Sequence, residues 1–144
     1  MIEVRDEQAG TQGSGPLAGG LPTLTYSQTQ GLVLNEAGTI VAEGWSGNHE
    51  GKNNPDMQAV HNVGPLPQGL YRVGQWQDHP RLGPMVAPLT QIEGETFGRS
   101  DFWIHGPSTA PSRYGQESEG CIVLPRADRQ HVHDIHPGFV RVVA

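Results

Sequence analysis

FWIHG (Phe102–Gly106) and SEGCIVLP (Ser118–Pro125) are the two segments that dictate the fold of this 144-residue chain. Each contains a short apolar run bounded by glycine or proline, which is the pattern of a buried β-strand. The 11 residues of Pro107–Glu117 contain no apolar run. The sequence therefore predicts two buried strands joined by a polar loop, and a loop in that position is a natural lid over a cleft.

Each of these segments carries one reactive side chain at a strand end. Cys121 is the only cysteine in the chain, and His105 closes the first apolar run. A free thiol has a pKa of about 8.5, and a nearby imidazole can hold it as thiolate at neutral pH. We interpret the two as a nucleophile and its general base. The alternative is that Cys121 is a small buried hydrophobic residue, which is the common role of a lone cysteine.

Glycines stand next to both reactive groups. Gly106 follows the histidine and Gly120 precedes the cysteine, so neither position carries a side chain that would block a substrate from the backbone. We predict that the backbone amides of 118–121 converge on a developing oxyanion.

Four sequence blocks, in order, resemble one known family. They are WSG at Trp45–Gly47, KNNP at Lys52–Pro55, GPLPQGLY at Gly64–Tyr71, and the IHG and SEGC pair that contains the two reactive residues. The set resembles the L,D-transpeptidase (YkuD-type) catalytic domain, and in particular the branch of type VI secretion L,D-transpeptidase effectors. The likeness runs from about Leu24 to the C-terminus.

The resemblance implies a mostly β fold, a single-domain antiparallel β-sandwich or open barrel with one or two short helices. It implies a cysteine L,D-transpeptidase or L,D-carboxypeptidase acting on the tetrapeptide stems of peptidoglycan. Through a Cys121 acyl-enzyme such an enzyme releases D-alanine or exchanges it for another D-amino acid. In this family a backbone carbonyl often orients the catalytic histidine, and Ser118 is our candidate for that neighbourhood. The balance between transpeptidation and carboxypeptidation stays open.

Two positions depart from the family pattern. Glu119 stands where many members have histidine, and Val123 where they have arginine. An ionised Glu119 beside the thiolate is expected to raise the thiol pKa. With Val123 in place of arginine, the chain lacks a positive charge there to bind a substrate carboxylate. Arg126 and Arg113 are candidate replacements.

Other residues are candidates for substrate contact. Arg99 either meets a substrate carboxylate, for which arginine is suited, or is a solvated surface residue. Tyr71 is a candidate cleft wall, and Tyr114 is the candidate contact of the Pro107–Glu117 loop. The predicted substrate-binding set is Tyr71, Arg99, Gly106, Tyr114 and Glu119.

Composition limits the remaining possibilities. Twenty glycines and 12 prolines favour many short strands, with a loop over 44–55, separate strands within residues 85–92 and one helix beginning at Arg126. The net charge of −6 argues against nucleic-acid binding. No cofactor or metal is expected, since His131 and His133 would lie about 200° apart on a helix and cannot clamp one ion.

We expect residues 1–22 to be a flexible leader or linker and residues 23–144 to be the catalytic domain. Neither a signal peptide nor a membrane-inserted segment is predicted, so cytoplasmic synthesis followed by action in the periplasm of a target cell is the expectation. A secretion-system carrier and a cognate immunity protein are the expected protein partners of such an effector. The rival functions are a noncatalytic cell-wall binding or structural module and a papain-like peptidase.

Overall fold

The structure is a computed structural model that describes residues 20–109, 115 and 117–144. Its regular elements in that part of the chain are ten strands, one α-helix and two short 3-10 turns, His49–Gly51 and Pro55–Met57. In chain order they are β1 (Thr23–Ser27), β2 (Leu32–Leu34), β3 (Ile40–Glu43), β4 (Trp45–Ser46), β5 (Gly69–Val73), β6 (Gln77–His79), β7 (Gly83–Gly94), β8 (Phe102–His105), β9 (Ile122–Val123), α1 (Arg126–Ile135) and β10 (Phe139–Val143).

The strands form a sheet in the order β3-β2-β1-β10-β5-β7-β8-β9-β4, with β6 paired to β7 outside this path. The two outermost strands, β3 and β4, follow each other in the chain with one residue between them, so the sheet curls into a nearly closed barrel. Most pairs are antiparallel, whereas β1 with β10 and β8 with β9 are parallel. The predicted mostly β fold with one short helix is confirmed, in a sheet that is mixed rather than wholly antiparallel.

Gly44 is the corner residue between the two outermost strands. Its amide donates to the carbonyl of Gly31 at 2.8 Å. A Cβ at this position would lie 1.8 Å from the carbonyl oxygen of Val123 in β9. Only glycine allows the two backbones to approach this closely, so Gly44 lets the chain leave one end of the sheet and join the other.

His105 is the last residue of β8 and Cys121 directly precedes β9, and the two strands lie side by side in parallel with Ile104 opposite Ile122. Because side chains alternate between the faces of a strand, these two isoleucines point into the core, where both are buried. His105 and Cys121 therefore lie on the opposite face. In the strand register His105 is opposite Val123, so Cys121 lies two positions before the residue that faces the histidine.

The C-terminal helix is present where the sequence predicts it. Pro125 precedes α1, and His136 ends the helix in the left-handed conformation. Val132 is buried against the barrel core. Within residues 20–109, 115 and 117–144, no helix has both the length and the apolar character needed to cross a membrane.

Two stretches differ from the sequence-based prediction. The segment 44–55, predicted as a loop, contains the short strand β4, because Trp45 and Ser46 pair with Val123 and Ile122. Residues 83–94, predicted as separate strands, form the single 12-residue strand β7. Pairing with β5, β6 and β8 along its length supports β7 as one strand even though it contains two prolines.

Candidate active site

His105 ends β8 with its side chain almost fully buried. Its Nδ1 lies 2.9 Å from the carbonyl oxygen of Gly106. A carbonyl only accepts hydrogen bonds, so Nδ1 carries the proton and Nε2 is the basic nitrogen. Burial lowers the pKa of His105, outweighing the Gly106 carbonyl and the charge of Glu117, which act in the opposite direction. The imidazole is therefore neutral at neutral pH.

Cys121 directly precedes β9, and its thiol is partly buried. Its Sγ donates to the carbonyl oxygen of Asp101 at 3.8 Å. Burial raises the thiol pKa to about 12, the charges of Asp101 and Glu119 add to this, and the Trp103 backbone and Arg99 oppose it. The resting pair is thus a thiol and a neutral imidazole, where the sequence had led us to expect a thiolate.

Both reactive side chains line one pocket of about 390 Å³. Its lining residues are Asn62, Arg81, Leu82, Ser100, Asp101, Trp103, His105, Gly106, Ser108, Glu117, Glu119 and Cys121. In the described part of the chain this lining carries three carboxylates and one guanidinium. The volume lies in the range typical of small-ligand sites. No hydrogen bond joins the thiol to the imidazole in this resting arrangement, and such contacts often tighten only when a substrate is bound.

Ser118 lies beneath the residues that precede the nucleophile and is completely buried. Its hydroxyl donates to the carbonyl of Cys121 at 2.6 Å and accepts from the amides of Gly47 at 2.8 Å and Gly120 at 3.2 Å. The side chain therefore fixes the turn that presents the thiol, and its hydroxyl is hydrogen-bonded to backbone groups and not to His105. Because the Gly120 amide is already bonded to Ser118, it does not point freely into the pocket as an oxyanion donor.

Asn48 is a supporting residue that sequence reasoning missed. Its side-chain amide donates to the carbonyls of Asn62 and Ser118, both at 2.7 Å. It thereby links a pocket-lining segment to the turn before Cys121. The signal was the WSG block, which ends one residue earlier and whose Gly47 also bonds Ser118.

Two predicted substrate contacts lie away from the pocket. Tyr71 is fully buried, donates its hydroxyl to Pro67 at 2.7 Å, and packs edge-on against Phe102 with ring centroids 6.0 Å apart. Arg99 is 6% exposed, so the solvated-surface interpretation of this residue is wrong. Its guanidinium donates to backbone carbonyls, including that of Glu119.

The remaining candidates have different placements. Gly106 and Glu119 line the pocket, and Glu119 is exposed there. Arg126 is exposed on α1 and does not line the pocket. Tyr114 and Arg113 lie outside the described residues, as do residues 1–19 of the predicted leader.

Several pocket residues carried no distinctive sequence signal. Glu117 accepts a hydrogen bond from the Ser108 amide, and Asp101 accepts one from the Trp103 indole at 3.0 Å. Single acidic residues in loops are common, so only the fold reveals their position beside the thiol and imidazole. Among the described residues, no group of three or more His, Cys, Asp or Glu side chains is arranged to hold a metal ion.

A protein-family model for the Tlde1 domain matches residues 40–136, which is most of the chain. The chain belongs to the Tlde1 domain family. The matched range includes both reactive residues and all four sequence blocks. The predicted membership in the L,D-transpeptidase-type effector branch is thereby confirmed.

Solved structures with the same fold include a cell-shape protein and an L,D-transpeptidase, both with TM-scores above 0.5. The helical cell shape determining protein Pgp2 from Campylobacter jejuni has a TM-score of 0.57 and 20% identity, over 85% of this chain and 47% of Pgp2. An L,D-transpeptidase from Xylanimonas cellulosilytica has a TM-score of 0.51 and 18% identity, over 90% of this chain and 63% of that chain. This chain thus spans about half to two thirds of the length of these relatives. A search of curated protein sequences found no match.

Proposed function

We propose that this Tlde1 domain is a peptidoglycan-targeting cysteine L,D-transpeptidase or L,D-carboxypeptidase that acts on tetrapeptide stems. The observation that carries the proposal is that His105, the last residue of β8, and Cys121, the residue directly before the adjacent parallel strand β9, line one pocket. A nucleophile and a base that project from the same face of a sheet can work on one substrate carbonyl. The family and the fold support the choice of peptidoglycan as substrate.

The first half-reaction forms the acyl-enzyme. Cys121 Sγ attacks the carbonyl carbon of the diaminopimelate residue while its proton passes to His105 Nε2. The C–N bond to the terminal D-alanine then breaks, and the same proton goes from Nε2 to the departing amine. The protonated Nδ1, fixed by the Gly106 carbonyl, leaves Nε2 as the nitrogen that carries the proton in both steps.

The second half-reaction releases the acyl group. Water or an amine attacks the thioester carbonyl, His105 Nε2 accepts the proton of the attacking group, and the C–S bond breaks. The thiolate then recovers a proton from the imidazole. Water as acceptor makes the enzyme an L,D-carboxypeptidase, whereas an amine makes a cross-link or exchanges the D-amino acid.

Incubation with purified tetrapeptide muropeptides tests this reaction. The expected results are release of D-alanine, seen by mass spectrometry, and a covalent adduct on Cys121 after treatment with a carbapenem. The Cys121→Ala variant should give neither, while Thr90→Ala, an exposed change on β7, should match the wild type. Turnover by Cys121→Ala would overturn the proposed nucleophile.

A noncatalytic cell-wall binding module is the second candidate, and the protonated resting thiol favours it. With burial and two carboxylates holding the pKa near 12, the free protein is not primed for attack. Retention of the protein on peptidoglycan without D-alanine release or adduct formation would select this function. A papain-like peptidase has less support, since Cys121 lies at a strand and not at a helix N-terminus.

We further propose an antibacterial effector role, with synthesis in the cytoplasm and action in the periplasm of the target cell. A secretion-system carrier and an immunity protein would be its partners. Expression directed to the periplasm of a Gram-negative cell should cause rounding or lysis, and Cys121→Ala should remove the effect. Equal toxicity of the two proteins would contradict an enzymatic toxin.

A further inference from the structure

Each glycine beside a reactive residue lies against a buried guanidinium. A Cβ on Gly120 would be 2.6 Å from Nη2 of Arg99, and a Cβ on Gly106 would be 2.2 Å from Nη1 of Arg129. The space beside each glycine is therefore filled by arginine, and not left open for a substrate as the sequence suggested. Two arginines from different parts of the chain thus pack behind the two halves of the candidate site.

Arg99 joins three segments behind the nucleophile. Its Nη1 donates to the carbonyls of Gln58 and Pro65, the latter at 2.8 Å. Its Nη2 donates to Gly64 at 2.9 Å and to Glu119 at 3.2 Å. The Glu119 carbonyl belongs to the peptide bond between Glu119 and Gly120, and Gly120 is the residue directly before Cys121. The guanidinium thus fixes the turn that carries the thiol.

Arg129 has the same role on the other side of the site. It extends from α1, and its Nη1 donates to the carbonyl of Leu124 at 2.7 Å. Its Nε donates to Met85 at 3.1 Å and its Nη2 contacts the Pro84 carbonyl at 3.5 Å. The helix, the start of β7 and the end of the β9 segment therefore converge on the backbone behind His105.

Within the part of the chain that the structure describes, neither guanidinium forms an ion pair with a carboxylate. The ion pairs between described residues are His133 with Asp134 and Arg141 with Glu93, both remote from these two arginines. Among the described residues, the hydrogen-bond acceptors of Arg99 and Arg129 are all backbone carbonyls, so no carboxylate there offsets either buried positive charge. Burying an unpaired charge is costly, which indicates that the charge serves more than packing.

The two charges act on different groups. Facing Cys121 are Asp101 and Glu119, which raise the thiol pKa, and Arg99, which lowers it. Facing His105 are Glu117, which raises the imidazole pKa, and Arg129, which lowers it. A cation favours the deprotonated form of any neighbouring acid. Both arginines therefore favour the reactive forms, the thiolate and the neutral imidazole.

We propose that Arg99 and Arg129 are a matched pair of positioning residues, Arg99 for the nucleophile Cys121 and Arg129 for the base His105. Each holds the backbone beside its reactive residue and supplies a standing positive charge that promotes loss of that residue's proton. Neither arginine lines the pocket, so neither touches the substrate. The inference rests on the proposed function, because it assigns roles to the proposed nucleophile and base. Its tests measure the ionisation of these two residues and require no enzymatic turnover.

Alkylation of Cys121 by iodoacetamide, measured against pH, tests Arg99. Only the thiolate reacts, so the rate follows the thiol pKa. Arg99→Met should slow alkylation at a fixed pH by about tenfold, equivalent to one pKa unit, and move the profile to higher pH. Arg99→Lys keeps the charge and should restore most of the rate. Arg72→Met, at an exposed position on β5, should leave the profile unchanged.

Titration of the His105 ring by NMR, assigned with His105→Gln, tests Arg129. Arg129→Met should move the titration midpoint of His105 to higher pH, and Arg129→Lys should keep it close to the wild type. Alkylation of Cys121 should respond to Arg99→Met and much less to Arg129→Met. In this crossed pattern, each arginine affects mainly the ionisation of its own reactive residue. A general loss of packing does not produce such a selective response.

Three outcomes would overturn the proposal: wild-type profiles in both methionine variants, equal behaviour of the lysine and methionine variants, or a loss of the crossed pattern. If a methionine variant fails to fold by near-UV circular dichroism, the glutamine variant at the same position, which is neutral but keeps hydrogen-bond donors, takes its place. The electrostatic account predicts the same shift for glutamine as for methionine, whereas a packing role predicts a wild-type profile in every folded variant. Absence of D-alanine release with the crossed pattern intact would reject the proposed function and leave the electrostatic pairing standing.

Discussion

The hydroxyl of Ser118 and the carbonyl of Cys121, 2.6 Å apart, close the turn that presents the thiol. The same hydroxyl accepts from the amides of Gly47 and Gly120. Its partners are all backbone groups, so the serine holds together two segments that are distant in sequence. Because Ser118 is completely buried, water cannot replace these bonds.

Ser118→Ala should therefore be strongly destabilising. The change leaves the amide of Gly47 and the carbonyl of Cys121 without their buried partner, and each such loss costs about 1–3 kcal/mol. We expect a fall of about 2–4 kcal/mol in the free energy of unfolding, measured by urea denaturation. Ser100→Ala, at an exposed serine, is the control and should change stability by less than about 0.5 kcal/mol. Equal stability of the two variants would show that the hydroxyl does not hold the turn.

The strands that carry the site were predictable from the sequence, because short apolar runs bounded by glycine and proline report burial directly. Phe102–His105 and Ile122–Val123 are strands, and the helix begins at Arg126 as expected. Strand β4 was not predictable, since a two-residue strand has no periodicity of its own. It exists only because β9 pairs with it.

The chemistry of the site was less accessible from the sequence than its location. Arg99 looked like a surface residue or a substrate ligand, because charge is usually solvated, yet four carbonyls surround it in the interior. Arg129 showed no signal at all within a polar helix. The protonation state of the thiol depends on burial, and the local sequence contains no direct measure of burial.

The lowered pKa of His105 predicts a loss of stability in acid. The folded-state pKa lies below the unfolded value of about 6.5, so the group favours folding above that pH. Its contribution is lost as the pH falls through the folded-state value, since the unfolded chain then binds a proton more readily. Urea midpoints measured from about pH 8 down to about pH 5 should fall, and His105→Gln should flatten this slope.

His131→Gln, at an exposed histidine on α1, is the control for this measurement and should keep the wild-type slope. A slope that is unchanged in His105→Gln would mean that other groups dominate acid unfolding. A slope that disappears in His131→Gln would assign the effect to the helix instead.

Glu119 should suppress the reactivity of the nucleophile in the free protein. It lines the pocket beside Cys121, and its charge raises a thiol pKa that burial has already moved to about 12. Glu119→Gln removes the charge and keeps the shape, so the thiol should ionise at lower pH. Alkylation by iodoacetamide at pH about 8.5 should become several-fold faster, since only the thiolate reacts.

Glu50→Gln, at an exposed position outside the pocket, should alkylate at the wild-type rate. Slower alkylation in Glu119→Gln would show that the carboxylate assists ionisation of the thiol, contrary to the electrostatic account.

Closure of the barrel should depend on Gly44 more than on any turn glycine. A Cβ there would overlap the carbonyl of Val123 at 1.8 Å, so Gly44→Ala requires β4 and β9 to separate. We expect a loss of about 3 kcal/mol or more, or a failure to fold, because a backbone clash cannot be relieved by a rotamer change. Gly38→Ala is the matched control: this glycine has a φ of 82° but nothing within 4 Å of its Cβ position, so it should lose only about 1 kcal/mol of conformational strain. Comparable thermal unfolding of the two variants would show that the contact between Gly44 and Val123 does not limit closure of the sheet.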